Sequence, residues 1–285
     1  VADVWTYPSI LVGLVGAGIQ ASRTPALHER EGAAQGLRYI YKLIDLEKFG
    51  LDVNSLSDIL KAAQHFGFAG LNITHPCKQA IISLLDELSS DAEALGAVNT
   101  VVLKEGRRVG HNTDWWGFAE SFRRELSDVR RDRVVQFGAG GAGAAVAHAL
   151  LTLGVGEINV IDTDSSRAEN LVDALRRRFG PTRASTGIPI MEAMTAADGM
   201  VNTTPLGMAR YPGMAVPVDL LRPDLWVSDI VYFPLETELL RQARARGCRT
   251  MSGGGMAVFQ AVGAFRLFAG REPDAERMLQ HFSQM

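Results

Sequence analysis

Two groups of residues in this 285-residue chain have types and spacings that suit chemistry. The first is a set of short polar clusters in the N-terminal half. They are Ser22-Arg-Thr24-Pro25, Asn72-Ile-Thr74-His-Pro76-Cys-Lys78, Ala97-Val-Asn99-Thr100 and His111-Asn-Thr113-Asp114. Together they offer hydroxyls, amides, one ammonium and one carboxylate. That set suits a small polyhydroxylated acid better than an apolar ligand. Lys78 and Asp114 lie far apart in sequence, so only the fold can bring them together. Where they meet, they form an acid–base pair for a carbinol oxygen, whose proton must leave or arrive as hydride leaves or joins the carbon. Taken singly, Lys78 also reads as a surface lysine and Asp114 as a helix N-cap.

The second group is Gly138-Ala139-Gly140-Gly141-Ala142-Gly143. A bare GxGxxG is a weak signal, but this one follows an apolar strand, Val134–Phe137, and opens an alanine-rich helix. Gly138 allows the tight turn, Gly140 lets backbone approach a pyrophosphate, and Gly143 lets the helix pack close to the strand. N–H groups at the helix start then face the phosphates. The next strand ends at Asp162, near the ~20-residue spacing at which an acid bonds the ribose hydroxyls of NAD and repels a 2′-phosphate. As a bland alternative, Asp162 only caps the following helix, as Asp164 and Ser165 also could.

Elements able to position these residues alternate along the chain. Ile10–Val15, Tyr39–Leu43, Gly70–Ile73 and Val98–Leu103 read as strands, with helices at Pro25–Gln35, Ser57–Phe66 and Pro76–Leu85. Pro25 and Pro76 suit first-turn positions, and Glu105-Gly106 reads as a hairpin turn. A second cycle has helix Trp115–Glu125, a polar Arg-rich connector at 127–133, helix Gly141–Leu153, strand Glu157–Ile161 and helix Ser165–Phe179. Strands Gly199–Asn202, Trp226–Ile230 and Arg249–Met251 follow, with helices Glu236–Arg246, Met256–Ala269 and Asp274–Phe282. The pattern implies an α/β fold: an N-terminal α/β domain and a Rossmann-type dinucleotide-binding domain, with a cleft between them. The expected borders give residues 1–111, completed by helices in 256–285, as the substrate-binding and catalytic domain. Residues 112–255 form the nucleotide domain.

Composition narrows the class. A net charge of −3 and a pI near 6.1 lack the basic surplus of a nucleic-acid binder. Arginine clusters at 123–124, 130–133 and 176–178 read as solvated faces. The longest apolar run, Ile10 to Ile19, is about half the ~20 residues of a spanning helix, and no Lys or Arg precedes Arg23 to form the basic start of a signal peptide. Two distant cysteines, Cys77 and Cys248, fit a reducing cytoplasm, and six scattered histidines suggest no metal. Glycine stands out: 29 are present, against about 20 at average usage. Four lie in the 138–143 loop and three at Gly253–Gly255.

The ordered motifs resemble the shikimate dehydrogenase family, including its quinate/shikimate branch. Ser-x-Ser/Thr-Pro matches Ser22–Pro25, Asn-x-Thr-x-Pro-x-Lys matches Asn72–Lys78, and Gly-Ala-Val-Asn-Thr matches Gly96–Thr100. Gly-x-Asn-Thr-Asp matches Gly110–Asp114. The glycine loop, Asn202–Met208 and Gly255-Met256…Gln260-Ala261 follow in the family's order. The resemblance implies that Ser22 and Thr24 hold the substrate carboxylate and that Lys78 and Asp114 are the catalytic pair. Thr74, Asn99 and Gln260 would bond ring hydroxyls, and Tyr232 would reach the carboxylate or else stack in the core. Thr203, Val231, Gly253 and Met256 would face the nicotinamide.

Two departures inform the cofactor. NADP-using members commonly end the second nucleotide-domain strand in Asn-Arg-Thr, whereas this chain has Asp162-Thr163-Asp164. Thr24 stands where many members have Ser. Both features look like the NAD-linked quinate/shikimate branch, with Arg167 further along still able to approach the adenosine. The expectation is an NAD-dependent oxidoreductase interconverting shikimate and 3-dehydroshikimate, with quinate and 3-dehydroquinate as a second pair. Expected partners are that acid alone, with no nucleic acid and no membrane, in a monomer or homodimer. The rivals are an NADP-linked biosynthetic enzyme, a dehydrogenase of another cyclic hydroxy acid, and a catalytically silent NAD-binding regulator.

Overall fold

The computed structural model describes residues 9–285; the first eight residues of the expected first domain lie outside the described residues. The chain divides into two compact units. One comprises the residues up to Thr113 together with Gln260–Met285, and the other is Asp114–Phe259. The sequence had suggested borders at 111 and 255.

Among the described residues the first unit is built on six strands: β1 (Ser9–Gly16), β2 (Arg38–Asp45), β3 (Gly70–Ile73), β4 (Glu87–Leu88), β5 (Thr100–Lys104) and β6 (Arg107–His111). Their order is β2-β1-β3-β5-β6-β4. β1, β2 and β3 run parallel, β5 is antiparallel to both β3 and β6, and β4 is parallel to β6. The hairpin between β5 and β6 turns at Glu105 and Gly106, with φ of 53° and 78°, the left-handed pair of a tight two-residue turn. One sheet face packs Val15, Leu71, Ile73 and Val101 against Leu56, Leu60 and Ala63 of the helix Leu56–His65. The other packs Val12, Leu14, Tyr39 and Tyr41 against Ala264, Phe265 and Phe268. Helix Ala275–Ser283 is tied to helix Thr24–Ala34 by a forked bond from Arg277 to the fully buried Glu31, at 2.8 and 2.7 Å.

The second unit holds β7 (Arg133–Phe137), β8 (Glu157–Ile161), β9 (Ala184–Thr186), β10 (Gly199–Asn202), β11 (Trp226–Asp229) and β12 (Arg249–Met251). All pairs are parallel, in the order β12-β11-β10-β7-β8-β9. This is the doubly wound Rossmann order, in which chain direction across the sheet reverses between β7 and β10. Val134, Val160 and Val201 face Phe118, Phe122, Val146, Leu150 and Leu171 from helices Asp114–Glu125, Gly141–Thr152 and Ser165–Phe179. On the opposite face Val135, Phe137, Met200 and Val227 meet Met194, Leu239, Leu240 and Ala243 from helices Ile190–Ala196 and Glu238–Ala245.

Several local expectations change. The single helix expected over Pro76–Leu85 is a short helix, Cys77–Ala80, and a 3-10 turn, Ile82–Leu84. Bonds from Leu84 N to Ile81 O and from Leu85 N to Ile82 O tighten the chain there, with Ile81 fully buried. Helices Leu46–Phe49, Ser90–Leu95 and Ile190–Ala196 and strands β4 and β9 are additional. No helix among the described residues is long and apolar enough to cross a membrane.

Candidate active site

In the first unit the polar clusters converge on one edge of the sheet. β3 ends there, and because β5 runs the other way, its start lies there too. Asn72 therefore pairs in register with Thr100, and Thr100 with His111. Asn72, Asn99, Thr100 and Thr113 are all buried, so their polar atoms must find partners within the protein.

They do so in one connected network. Tyr41 donates its hydroxyl to Asn72 Oδ1 at 2.7 Å, and Asn72 Nδ2 donates to Thr100 Oγ1 at 3.0 Å and to Asn99 O at 3.2 Å. Thr100 donates its hydroxyl to Asn99 Oδ1 at 3.0 Å, which also accepts from Thr113 N at 2.8 Å. Asn99 Nδ2 donates to Thr113 Oγ1 at 2.9 Å, and Thr113 Oγ1 lies 3.0 Å from Gln260 O. The amide of Asn99 is thus fixed in position and in which end accepts. Lys78 is half-buried on the helix Cys77–Ala80, its carbonyl held by Val98 N at 2.9 Å, one residue before Asn99.

The loop carrying Ser22 and Thr24 has a different anchor. Asp45, at the end of β2, accepts from Gly18 N at 3.0 Å, Ile19 N at 3.1 Å, Gln20 Nε2 at 2.9 Å and Glu47 N at 3.2 Å. The Gln20 amide and the backbone N–H groups of Gly18 and Ile19 hold its carboxyl below the usual carboxylate range. Ser22 Oγ accepts from Thr24 N at 3.3 Å, and Thr24 opens the helix Thr24–Ala34 with both residues partly exposed. Thr74 follows β3 and is bonded through its N–H to Val15 O.

In the second unit, the glycine loop joins β7 to the helix Gly141–Thr152. Gly138 has φ of 102°, a conformation side chains resist. A Cβ on Gly140 would meet nothing within 4 Å, whereas one on Gly143 would collide with Gly138 O. The loop is therefore open on one side and tightly packed on the other. The helix starts without a side-chain cap and with no acid in its first turn. An open glycine, an uncapped helix start and a nearby acid fit the pyrophosphate and ribose of a dinucleotide.

Three side chains hold the loop from beneath and beside. Gln136 Nε2 donates to Gly138 O at 2.9 Å and to Gly143 O at 3.0 Å. Thr203, after β10, sets its hydroxyl 2.8 Å from Phe137 O and 2.9 Å from Gly138 O. Asp162 accepts from Ala139 N at 2.7 Å and from Asp164 N at 2.9 Å. Asp164, not Asp162, caps the helix Ser165–Phe179. Arg167 is exposed and pairs with Asp164 at 3.3 Å.

Asp114 opens the helix Asp114–Glu125 and is buried, in sequence next to the pinned Thr113. Val231 is buried, with its N–H donating to Asp229 Oδ1 at 3.1 Å, while Tyr232 is exposed. Met256 is buried on the helix Gly253–Ala269, of which Gly253 is the first residue. Gly253 has a reason inside the protein: a Cβ there would collide with the Ile230 carbonyl. Gly255 likewise abuts Ser121.

Residue-pattern reasoning did not single out Tyr41, Asp45, Gln136 or Asp229. Asp229 is fully buried and bonds Asn202, Val231 N and Thr237. Burial pushes its carboxyl up, against the pull of those bonds. A signal existed in two cases: Gln136 interrupts an apolar strand, and Asp45 ends one. Both cysteines are buried and unpaired, and burial pushes the Cys77 thiol up to about 11. Among the described residues, no three His, Cys, Asp or Glu stand together as a metal site.

Fold and site define a class: a two-domain α/β oxidoreductase with a Rossmann unit for a nicotinamide dinucleotide and an α/β unit rich in donors for a polar acid. A family model for the shikimate dehydrogenase substrate binding domain matches residues 14–101, and one for the ThiF family matches 115–203, which includes the glycine loop. The chain is 59% identical, over 98% of its length and 97% of the relative's, to a shikimate dehydrogenase (NADP(+)) of Streptomyces avermitilis. It is 52% identical to a quinate/shikimate dehydrogenase (NAD(+)) of Corynebacterium efficiens, over 97% of this chain and 98% of that one. Among solved structures, a quinate dehydrogenase from Corynebacterium glutamicum in complex with NAD superposes with a TM-score of 0.92 at 50% identity, covering 98% and 100% of the two chains. The chain belongs to the shikimate dehydrogenase family, and with it to the oxidoreductases that act on a CH–OH group with NAD(P).

Proposed function

We propose that this chain is an NAD-linked dehydrogenase that interconverts shikimate and 3-dehydroshikimate and also accepts quinate. The observation that carries the cofactor choice is Asp162. Its carboxylate sits beside the glycine loop, bonded to Ala139 N, with Asp164 two residues on. Two acids stand where a 2′-phosphate would need a cation, and Arg167, the nearest cation in sequence, already pairs with Asp164. The NAD-linked Corynebacterium relatives fit this reading.

The dinucleotide, when bound, supplies the hydride acceptor or donor; residues 138–143 and Asp162 would hold it, with Thr203, Val231, Gly253 and Met256 toward its nicotinamide end. The remaining work falls to side chains. Ser22 and Thr24 donate hydroxyls to the substrate carboxylate, with Tyr232 as a further donor. Thr74, Asn99 and Gln260 bond the ring hydroxyls, and the network behind Asn99 keeps its amide oriented before substrate arrives. Lys78, assisted by Asp114, takes the hydroxyl proton during oxidation and returns it during reduction. One chain carries both residue sets, so a monomer suffices. The unpaired thiols Cys77 and Cys248 suit a reducing cytoplasm.

A second reading, an NADP-linked enzyme, is favoured by the Streptomyces avermitilis relative and by the exposed Arg167. A kinetic matrix of shikimate and quinate against NAD and NADP decides between them. The NAD reading expects kcat/KM with NAD to exceed that with NADP for both acids, and a clear NADP preference overturns it.

A further inference from the structure

We propose that Gln136 is a positioning residue for dinucleotide binding: from beneath the sheet edge, it clamps the glycine loop into its receptive shape. Gln136 stands next to the last residue of β7, between Val135 and Phe137, and is fully buried. Its in-register neighbours are Val160 on β8 and Val201 on β10, so packing alone asks for an aliphatic residue there. Its amide nitrogen instead reaches Gly138 O at 2.9 Å and Gly143 O at 3.0 Å, using one N–H for each end of the loop. Its other end, Oε1, is buried with no hydrogen-bond partner. That unpaired acceptor costs stability which an aliphatic residue would not, so what the amide contributes here is its two N–H bonds to the loop.

The clamp acts on a particular peptide. The Gly138 carbonyl is held by Gln136 and by the Thr203 hydroxyl, while the N–H of the same peptide, on Ala139, is held by Asp162. The Thr203 hydroxyl has one proton to share between Phe137 O and Gly138 O, so it cannot replace both bonds of Gln136. Fixing the first peptide of the loop and the first turn of the helix together sets the direction of the N–H groups from Gly140 onward. A loop shaped before the ligand arrives has less ordering left to do on binding. This inference rests on residues 138–143 being the pyrophosphate cradle.

The test compares Gln136→Met and Gln136→Val with the unaltered chain and with Gly140→Asp. Three quantities are read: the NAD dissociation constant by quenching of tryptophan fluorescence, KM for shikimate, and the ligand-free melting temperature. Loss of two hydrogen bonds that shape the loop is expected to weaken NAD binding about five- to tenfold. KM for shikimate stays unchanged, and the melting temperature changes little, because removal of the unpaired acceptor offsets the loss of the two hydrogen bonds. Val suits a buried strand, so it secures a folded variant should Met pack poorly. The proposal is overturned if NAD affinity is unchanged while Gly140→Asp abolishes it, or if affinity falls only in step with melting temperature. If Gly140→Asp also leaves NAD affinity intact, the cradle reading itself fails and the proposal falls with it.

Discussion

The two units present their ligand edges in opposite ways. Under the proposed function the recognition surface of the second unit is backbone, and side chains serve beneath it: Gln136, Thr203 and Asp162 hold the glycine loop in shape. Under the proposed function the recognition surface of the first unit is side chain, and other side chains hold it: Tyr41, Asn72, Thr100 and Thr113 fix Asn99. A pyrophosphate is a diffuse anion, and a row of N–H groups meets it without reading stereochemistry. Ring hydroxyls differ only in position, and reading them takes donors and acceptors of fixed identity. On that reading generality lies in the loop and selectivity in the network.

That contrast can be attacked from both sides. The largest effect is expected from Lys78→Ala, which should lower kcat by about 10²–10⁴-fold while leaving the NAD dissociation constant unchanged. Near-normal turnover would remove Lys78 from the mechanism. Next comes Gly143→Ala, whose Cβ would meet Gly138 O. Overpacking there should weaken NAD binding by about tenfold or more without altering shikimate affinity, as titration calorimetry would show. A parallel loss of both affinities would mean the units are not separable in this way. Tyr41→Phe removes one buried hydrogen bond behind Asn99. It should raise KM for the acid about fivefold and leave KM for NAD alone.

The smallest effect is a difference in acid response. His28 in the first unit is fully buried among Tyr39, Tyr41 and Phe265, and burial lowers its pKa from 6.5 to about 3. Between those values the unfolded chain binds a proton that the folded one refuses, so stability present above pH 6.5 drains away as pH falls toward 3. The loss between pH 6.5 and 5 is about 1.5–2 kcal/mol. In the second unit, burial raises the carboxyls of Glu125 and Asp229, so protonating them on acidification favours the folded form. Hydrogen exchange read by mass spectrometry at pH 7 and 5 should show β1–β3 losing protection before β7–β10. His28→Gln should flatten the difference, and an unchanged gap in that variant would point to another group.

Much of this was legible in the sequence because strong periodicity and glycine spacing are local signals. β3, β8, β10, β12 and the helix Ser165–Phe179 have the bounds their patterns suggested. The reversal of β5 was not legible. Apolar alternation carries no direction, and only the pairing with β3 shows that Asn99 precedes a strand while Asn72 ends one. β9, Ala184–Thr186, escaped notice because three small or polar residues at a sheet edge have no periodicity to read. Residue type and motif order single out Ser22, Thr24, Lys78 and Asp114 as candidates. The supports Tyr41 behind Asn72, Asp45 behind the 18–20 loop and Gln136 behind the glycine loop escape such a reading, because a supporting residue is defined by its contacts in the fold, which spacing along the chain does not encode.

The buried, protonated state of the two cysteines has a practical side. Thiolate is the species that reacts with maleimides and similar labels, and Cys77 and Cys248 both sit inside with thiols pushed up by burial. The chain is therefore close to a ready-made cysteine-silent background. A reporter pair introduced at exposed helical positions, such as Asp58→Cys in the first unit and Asn170→Cys in the second, can carry fluorophores or spin labels while both native thiols stay in place. The distance between the two units, with and without each ligand, then becomes directly measurable.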